Sequence, residues 1–207
     1  MNKIILIFIT FLVFASCIKP PEKEFNTDDE IIAGNPLEII NNLNYQNIEL
    51  EVSTNSHNFD NSIEDLSDFF LSHFVNEDDR VYAIYYWIIT NISYDYELAN
   101  STFVLNESTE KIVKRVFNNR KGVCDGYSRL FCVFCDNTNL KSAYIDGFTP
   151  SNNMNLQDPL LYGMHAWNAI RINEEWYLLD TTWSWFLTEP IEFYNQHIPY
   201  DDKWKLF

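Results

Sequence analysis

From Asn61 onward the apolar positions fall into two regimes, helical spacing as far as Asn137 and a shorter period after Asn139. Ile63, Leu66, Phe69, Phe70 and Phe74 recur at three- and four-residue steps, which predicts an amphipathic helix across Asn61–Phe74. Asp60, Glu64, Asp65 and Asp68 lie among them as a solvated face. Their spacing fits no EF-hand loop, and no glycine stands where such a loop turns. Val81, Ile84, Tyr85, Ile88 and Ile92 predict a second helix over Asp78–Asn91, with Trp87 inside it. Ser108 is placed to cap a third, whose inward residues are Ile112, Val113, Val116 and Phe117 and which ends at Asn118 and Asn119. A strongly apolar fourth helix runs from about Cys124 to Asn137 through Leu130, Phe131 and Phe134. Upstream, residues 36–59 are expected to hold a short helix and then a strand near Ile48–Val52.

Ser142–Phe148 reads as a strand, and residues 149–162, with Pro150, Asn152, Asn153 and Pro159, as a loop. HAWNAIRI and EWYLLDTTW then predict two strands joined by a turn at Asn173 and Glu174. Helices precede strands and no repeat interrupts them, so the expected class is α+β in one domain.

The first residues change the picture of location. Ile4–Phe14 is an apolar run of 11 residues after Lys3, too short to span a bilayer and suited to the core of a secretory signal. Ala15-Ser16-Cys17 after it resembles a bacterial lipobox, with Phe14 where leucine is usual. We expect a signal peptide at 1–16, lipidation at Cys17, a polar tether over 17–35 and the folded domain over 36–207. An unlipidated signal cut near Ala15 or Ser16 is the alternative. The expected address is extracytoplasmic, anchored to a bacterial membrane by lipid. The formal charge of −16 repels nucleic acid and anionic lipid, so neither partner is expected.

Of four cysteines, Cys17 is the lipobox residue, and an odd number remains. Cys132 and Cys135 sit at i,i+3 on a helix, a poor geometry for a disulfide. They find no second CxxC or paired histidine to complete a zinc site, so they read as small core residues. No metal and no organic cofactor is expected. Cys124 differs. It opens a helix in RKGVCDGYSRL, where free backbone N–H groups favour a thiolate and can hold an oxyanion. Gly122 is expected to turn the chain sharply into that helix, and Gly126 to leave room in its first turn.

A cysteine nucleophile needs a base and an orienting group. Of four histidines, His57 and His73 have no local partner, and His197 lies in the tail near Asn195, Gln196 and Pro199. His165 opens a strand whose neighbour carries Asp180. If Asn173 and Glu174 are a two-residue turn, Ile172 pairs with Glu175 and Asp180 falls opposite Trp167. His165 and Asp180 then share a face as diagonal neighbours, roughly 7–8 Å apart at Cα. A three-residue turn without a bulge would put them on opposite faces.

NRKGVCDGYSRLF followed by HAWNAIRINEEWYLLDTTW resembles the transglutaminase-like superfamily, a circularly rearranged relative of papain-type thiol proteases. DDRVYAIYYWIITNISYDYE is similar to the segment preceding its catalytic helix, and EFYNQHIPYDDKWKLF to the tail of a bacterial branch related to cytokinesis and kyphoscoliosis-type peptidases. The resemblance covers residues 77–207. It implies a papain-like core with the nucleophile helix packed on an antiparallel sheet, Cys124 as nucleophile, His165 as base and Asp180 as orienter. Trp87 and Tyr94 are its candidates for an oxyanion donor beside the Cys124 N–H. The expected function is cysteine-dependent acyl transfer from an amide of a protein or peptide, including cell-wall peptide, through a thioester. Hydrolysis is favoured over transamidation. The competing class is a non-catalytic surface module that binds peptide or cell-wall material in the same cleft.

Overall fold

A computed structural model describes residues 31–101, 107–150 and 163–207. The signal segment, Cys17, most of the tether and nearly all of the loop after Thr149 lie outside those residues.

Eight α-helices and seven strands are described: α1 Pro36–Ile40, α2 Tyr45–Asn55, α3 Ile63–His73, α4 Glu77–Asn91, β1 Ser93–Tyr94, α5 Tyr96–Ala99, α6 Thr109–Asn119, β2 Lys121–Gly122, α7 Cys124–Asn137, β3 Lys141–Thr149, β4 Gly163–Ile172, β5 Glu175–Asp180, β6 Trp185–Thr188, α8 Pro190–Tyr194 and β7 Ile198–Pro199. The class is α+β, as expected. β3 to β7 form one antiparallel sheet in the order β6-β5-β4-β3-β7. α7 packs against β3 and β4, and α3, α4 and α6 surround it. None of the described helices is long and apolar enough to cross a membrane.

The helices follow their stripes. Ser62 caps α3 by accepting the Asp65 N–H, and Leu66, Phe69 and Phe70 on its inner face are buried. Ser108 caps α6 as expected, accepting the Lys111 N–H. Ile48–Val52, expected as a strand, lies instead inside α2, where Ile48 and Val52 are both buried. Their four-residue separation puts them on one helical face, and that spacing prevails over their β-branched character. Ile31–Asn35, assigned to the tether, is docked: Trp176 donates its N–H to the Ile32 carbonyl at 2.7 Å, and Gly34 donates to the Trp176 carbonyl at 3.0 Å.

The turn before α7 is not made at Gly122. Arg120 takes the left-handed conformation, with φ 52°, while no described glycine has positive φ. Its guanidinium is held by the Asp60 carboxylate and carbonyl and lies over the rings of Phe117 and Trp87, which offsets the backbone cost. The space at Gly126 goes to α6. A Cβ there would stand 2.6 Å from Val116 Cγ2, so the two helices touch where Gly126 has no side chain.

The β4–β5 hairpin has the expected register, Ile172 opposite Glu175, closed by Asn173 and Glu174 with φ 49° and 73°. Positive φ at both central residues is the type I′ pattern that matches strand twist. Behind β3 the chain returns as β7. Gly147 is paired with His165 on one side and Pro199 on the other, and a Cβ on it would meet the Ile198 carbonyl at 2.2 Å.

Candidate active site

Cys124 is the first residue of α7, and Val123 before it offers no side-chain cap. The Val123 carbonyl accepts the Gly126 and Tyr127 N–H groups at 2.8 and 3.1 Å, which leaves the donors of Cys124 and Asp125 at the helix mouth uncapped. Three side chains fix this end of the helix against its surroundings. Tyr127 donates its hydroxyl to the Ile92 carbonyl at 2.7 Å, and Tyr144 on β3 donates to Asp125 Oδ1 at 2.9 Å. Asn168 on β4 donates from Nδ2 to the Ser128 and Ala143 carbonyls. Helix and sheet are thereby pinned across their buried interface.

His165, near the start of β4, gives its Nε2 to Asp180 Oδ2 at 2.7 Å, and Cys124 interacts with the same ring. With Nε2 so engaged, Nδ1 is the ring nitrogen left for the sulfur. Asp180 ends β5 and is 0% exposed. Its Oδ1 accepts the backbone N–H groups of Thr182 and Trp183 at 2.7 and 3.2 Å. A carboxylate this buried survives as an anion because each oxygen has donors. Burial opposes its charge, but the two imidazoles around it outweigh that and hold its pKa down at about 2. Burial likewise opposes charge on His165, and its bonds to Asp180 and Cys124 prevail, raising the ring to about 9. Trp183 lies on the outer face of that ring.

The second imidazole is His197, which the sequence left in the tail without a role. Its Nε2 is 3.0 Å from the same Asp180 Oδ2. The signal was present in FYNQHIPY: a histidine followed by an extended, proline-bearing step among aromatic residues. No local pattern, however, says which strand such a tail joins. His165, Asp180 and His197 are the one group among the described residues with ligand atoms converged enough to hold a cation, all within 4.8 Å. The same atoms already satisfy one another as hydrogen bonds, so a bound cation would have to displace the ring N–H groups from Asp180.

The two oxyanion candidates separate. β1 runs parallel to β2, with Tyr94 opposite Gly122, two residues before Cys124. The Tyr94 pKa is raised, first by burial and then by the charge of Cys124. Trp87 is 0% exposed, stacked on Phe117 and edge-on to Phe134 in the core, with its indole N–H unpartnered. Trp87 therefore packs as a core residue of α4. Cys135 is buried and Cys132 half-buried, and burial pushes the Cys132 thiol up to about 11. Both behave as the packed residues expected.

The family model for the transglutaminase-like superfamily matches residues 71–181, which takes in Cys124, His165 and Asp180 and stops short of His197. The kyphoscoliosis peptidases of Mus musculus and Homo sapiens are each 28% identical to this chain over 151 residues, 62% of this chain and 22% of theirs. The match thus spans about a fifth of those relatives' length. A crystal structure from Cytophaga hutchinsonii aligns with a TM-score of 0.46 at 20% identity, covering 66% of this chain and 41% of that one. With more than half its length inside the family model, and an α+β fold that carries Cys124 at a helix start and a His165–Asp180 pair on the sheet, the chain belongs to the transglutaminase-like superfamily.

Proposed function

We propose that this chain is a cysteine-dependent acyl-transfer enzyme acting on amide bonds of proteins or peptides through a thioester, with Cys124, His165 and Asp180 as its triad. The observation that carries the reading is His165 Nε2 held by the buried Asp180 Oδ2 at 2.7 Å, on a ring that also interacts with Cys124. A ring held protonated by a buried carboxylate pairs with a thiolate, and a thiolate is the attacking species.

Cys124 Sγ adds to the substrate carbonyl carbon, and the carbonyl electrons move to oxygen. The Cys124 N–H and the Tyr94 hydroxyl are the donors proposed for that oxyanion. The tetrahedral adduct collapses as His165 passes its proton to the departing amine, leaving a thioester and a neutral ring. His165 then takes a proton from the acceptor that attacks the thioester, and the thiolate is expelled, which restores the starting thiolate–imidazolium pair. Water as acceptor gives hydrolysis and an amine gives transamidation. The peptidase names of the mouse and human relatives favour water.

The test is to trap the thioester. Acid-quenched full chain, incubated with a mixture of protein and cell-envelope peptides, is expected to carry an acyl adduct on Cys124 by peptide mass mapping, and Cys124→Ala none. A Cys124→Ala strain that kept the wild-type phenotype would turn the reading toward a binding module. Location is part of the proposal: Cys17 would carry lipid and tie the domain to the outer side of a bacterial membrane. Metabolic labelling with an alkyne fatty acid should mark the wild type and not Cys17→Ser.

A further inference from the structure

Asp180 Oδ2 has two imidazoles, and the triad chemistry uses only one. His197 is 1% exposed and packed on all sides by rings: Phe193 stacks on it at 3.9 Å and 22°, and Trp167, Trp183 and Trp185 close around it. Its Nδ1 lies 3.2 Å from the Phe193 carbonyl and its Nε2 3.0 Å from Asp180 Oδ2. A neutral ring has one N–H to give. The Phe193 carbonyl already accepts the backbone N–H groups of Gln196 and His197, each at 3.0 Å, so both its lone pairs are taken. The carboxylate is charged, buried and closer. The proton therefore belongs on Nε2.

We propose that His197 is a positioning residue for this site: as a neutral imidazole it donates Nε2–H to Asp180 Oδ2, fixes that carboxylate for His165 and takes up part of the charge His165 would otherwise feel. The inference rests on the triad reading above. Asp180 then has four donors, two backbone N–H groups on Oδ1 and two rings on Oδ2, and is left no rotation about its carboxyl bond. The ionisable groups that face this arrangement from the packed elements are few. Among the described residues, Cys124 on α7 interacts with the His165 ring, and the charge of Asp180 reaches Tyr85 on α4, a phenol that burial and this charge keep neutral. Burial lowers the His197 pKa, in keeping with a ring that stays neutral.

The consequence is a graded base. A carboxylate that gives all its charge to one imidazole holds that proton too firmly for it to be passed to a leaving amine. Sharing Oδ2 weakens that hold and keeps the geometry.

Two measurements on the full chain test this. Long-range 1H–15N spectra of the histidine rings should show His197 as the neutral Nε2–H tautomer from pH 6 to 8. A neutral Nδ1–H tautomer, or titration near 6.5, overturns the proposal. The second is the pH profile of Cys124 alkylation by iodoacetate, an anion whose rate falls once His165 loses its proton. In His197→Phe, which keeps a ring against Phe193 and removes the donor, the alkaline limb should rise by about half a unit to one unit. His197→Gln, which keeps a donor at that reach, should return it toward wild type. A folded His197→Phe with both limbs on the wild-type curve overturns the proposal. If His197→Phe does not fold, the wild-type spectra and His197→Gln still decide. A wild type whose Cys124 reacts no faster at pH 6 than a free thiol would sink the triad reading instead, and the ring spectra would judge His197 independently.

Discussion

Trp183 lies flat on His165, with ring centroids 4.5 Å apart and planes 19° apart. Trp183 is 41% exposed whereas His165 is 8% exposed, so the indole is the cover and the imidazole what it covers. A bond between a ring and a carboxylate is stronger where water is kept away.

Trp183→Ala should wet the His165 ring and loosen its hold on the proton. The alkaline limb of Cys124 alkylation is expected to fall by about half a unit, with turnover on a peptide substrate down roughly tenfold. Trp183→Phe should recover most of both. An alanine variant with an unmoved limb would deny the indole this role.

Tyr94→Phe tests the oxyanion assignment. Tyr94 is paired with Gly122, two residues before Cys124, and a donor there would count only when charge develops on the substrate oxygen. Steady-state kinetics should show kcat lower by about 10–100-fold with KM little changed. Iodoacetate alkylation, which forms no oxyanion, should proceed at the wild-type rate. Loss of alkylation as well would mean that Tyr94 supports the thiol and not the adduct.

Stability should peak near neutral pH, because the two imidazoles pull in opposite directions. His165 has a folded pKa of about 9 against 6.5 unfolded, so its contribution is complete below 6.5 and is lost as pH rises through 9. His197 has a lowered folded pKa, so its contribution is present above 6.5 and is lost as pH falls through the folded value. Asp180 adds an acid limb, present above 3.8 and lost as pH falls through about 2. Thermal unfolding followed by circular dichroism should give a Tm maximum close to pH 6.5 and a loss of roughly 2–3 kcal/mol toward pH 9. Asp180→Asn should flatten the alkaline slope; an unchanged slope in that variant would refute the assignment.

How much of this could be read beforehand depended on whether the controlling interaction was local. The Asn173–Glu174 turn fixes its own strands' register, so the shared face of His165 and Asp180 followed from counting along the hairpin. The start of α7 at Cys124 was legible for the same reason, since a helix start is a local event, marked here by the onset of apolar spacing. His197 was not, because β7 joins the sheet beside β3, some fifty residues earlier, and nothing within FYNQHIPY encodes that edge. Trp87 was named from the resemblance alone: α4 is apolar around much of its circumference, and spacing does not say which side an indole takes. The turn into α7 was assigned to Gly122 on residue type, while Asp60, Phe117 and Trp87 together allow Arg120 to take the left-handed position.

Gly126→Ala should separate α6 from α7. Its Cβ would lie 2.6 Å from Val116 Cγ2, and valine has no flexible end to swing aside. Denaturant unfolding should register a loss of about 1–3 kcal/mol. Adding Val116→Ala should return part of it, and a double variant no better than the single would show that the clash lies elsewhere.

Gly147 is the common datum from which two strands are measured. His165 is indexed to it across one edge and Pro199 across the other, and the empty volume where its side chain would be lets the tail come so near. A bulkier residue there would lift the tail and carry its imidazole off the shared oxygen, while the hairpin held Asp180 and the helix held the sulfur. One methyl group would thus leave the machinery assembled and set it out of tune.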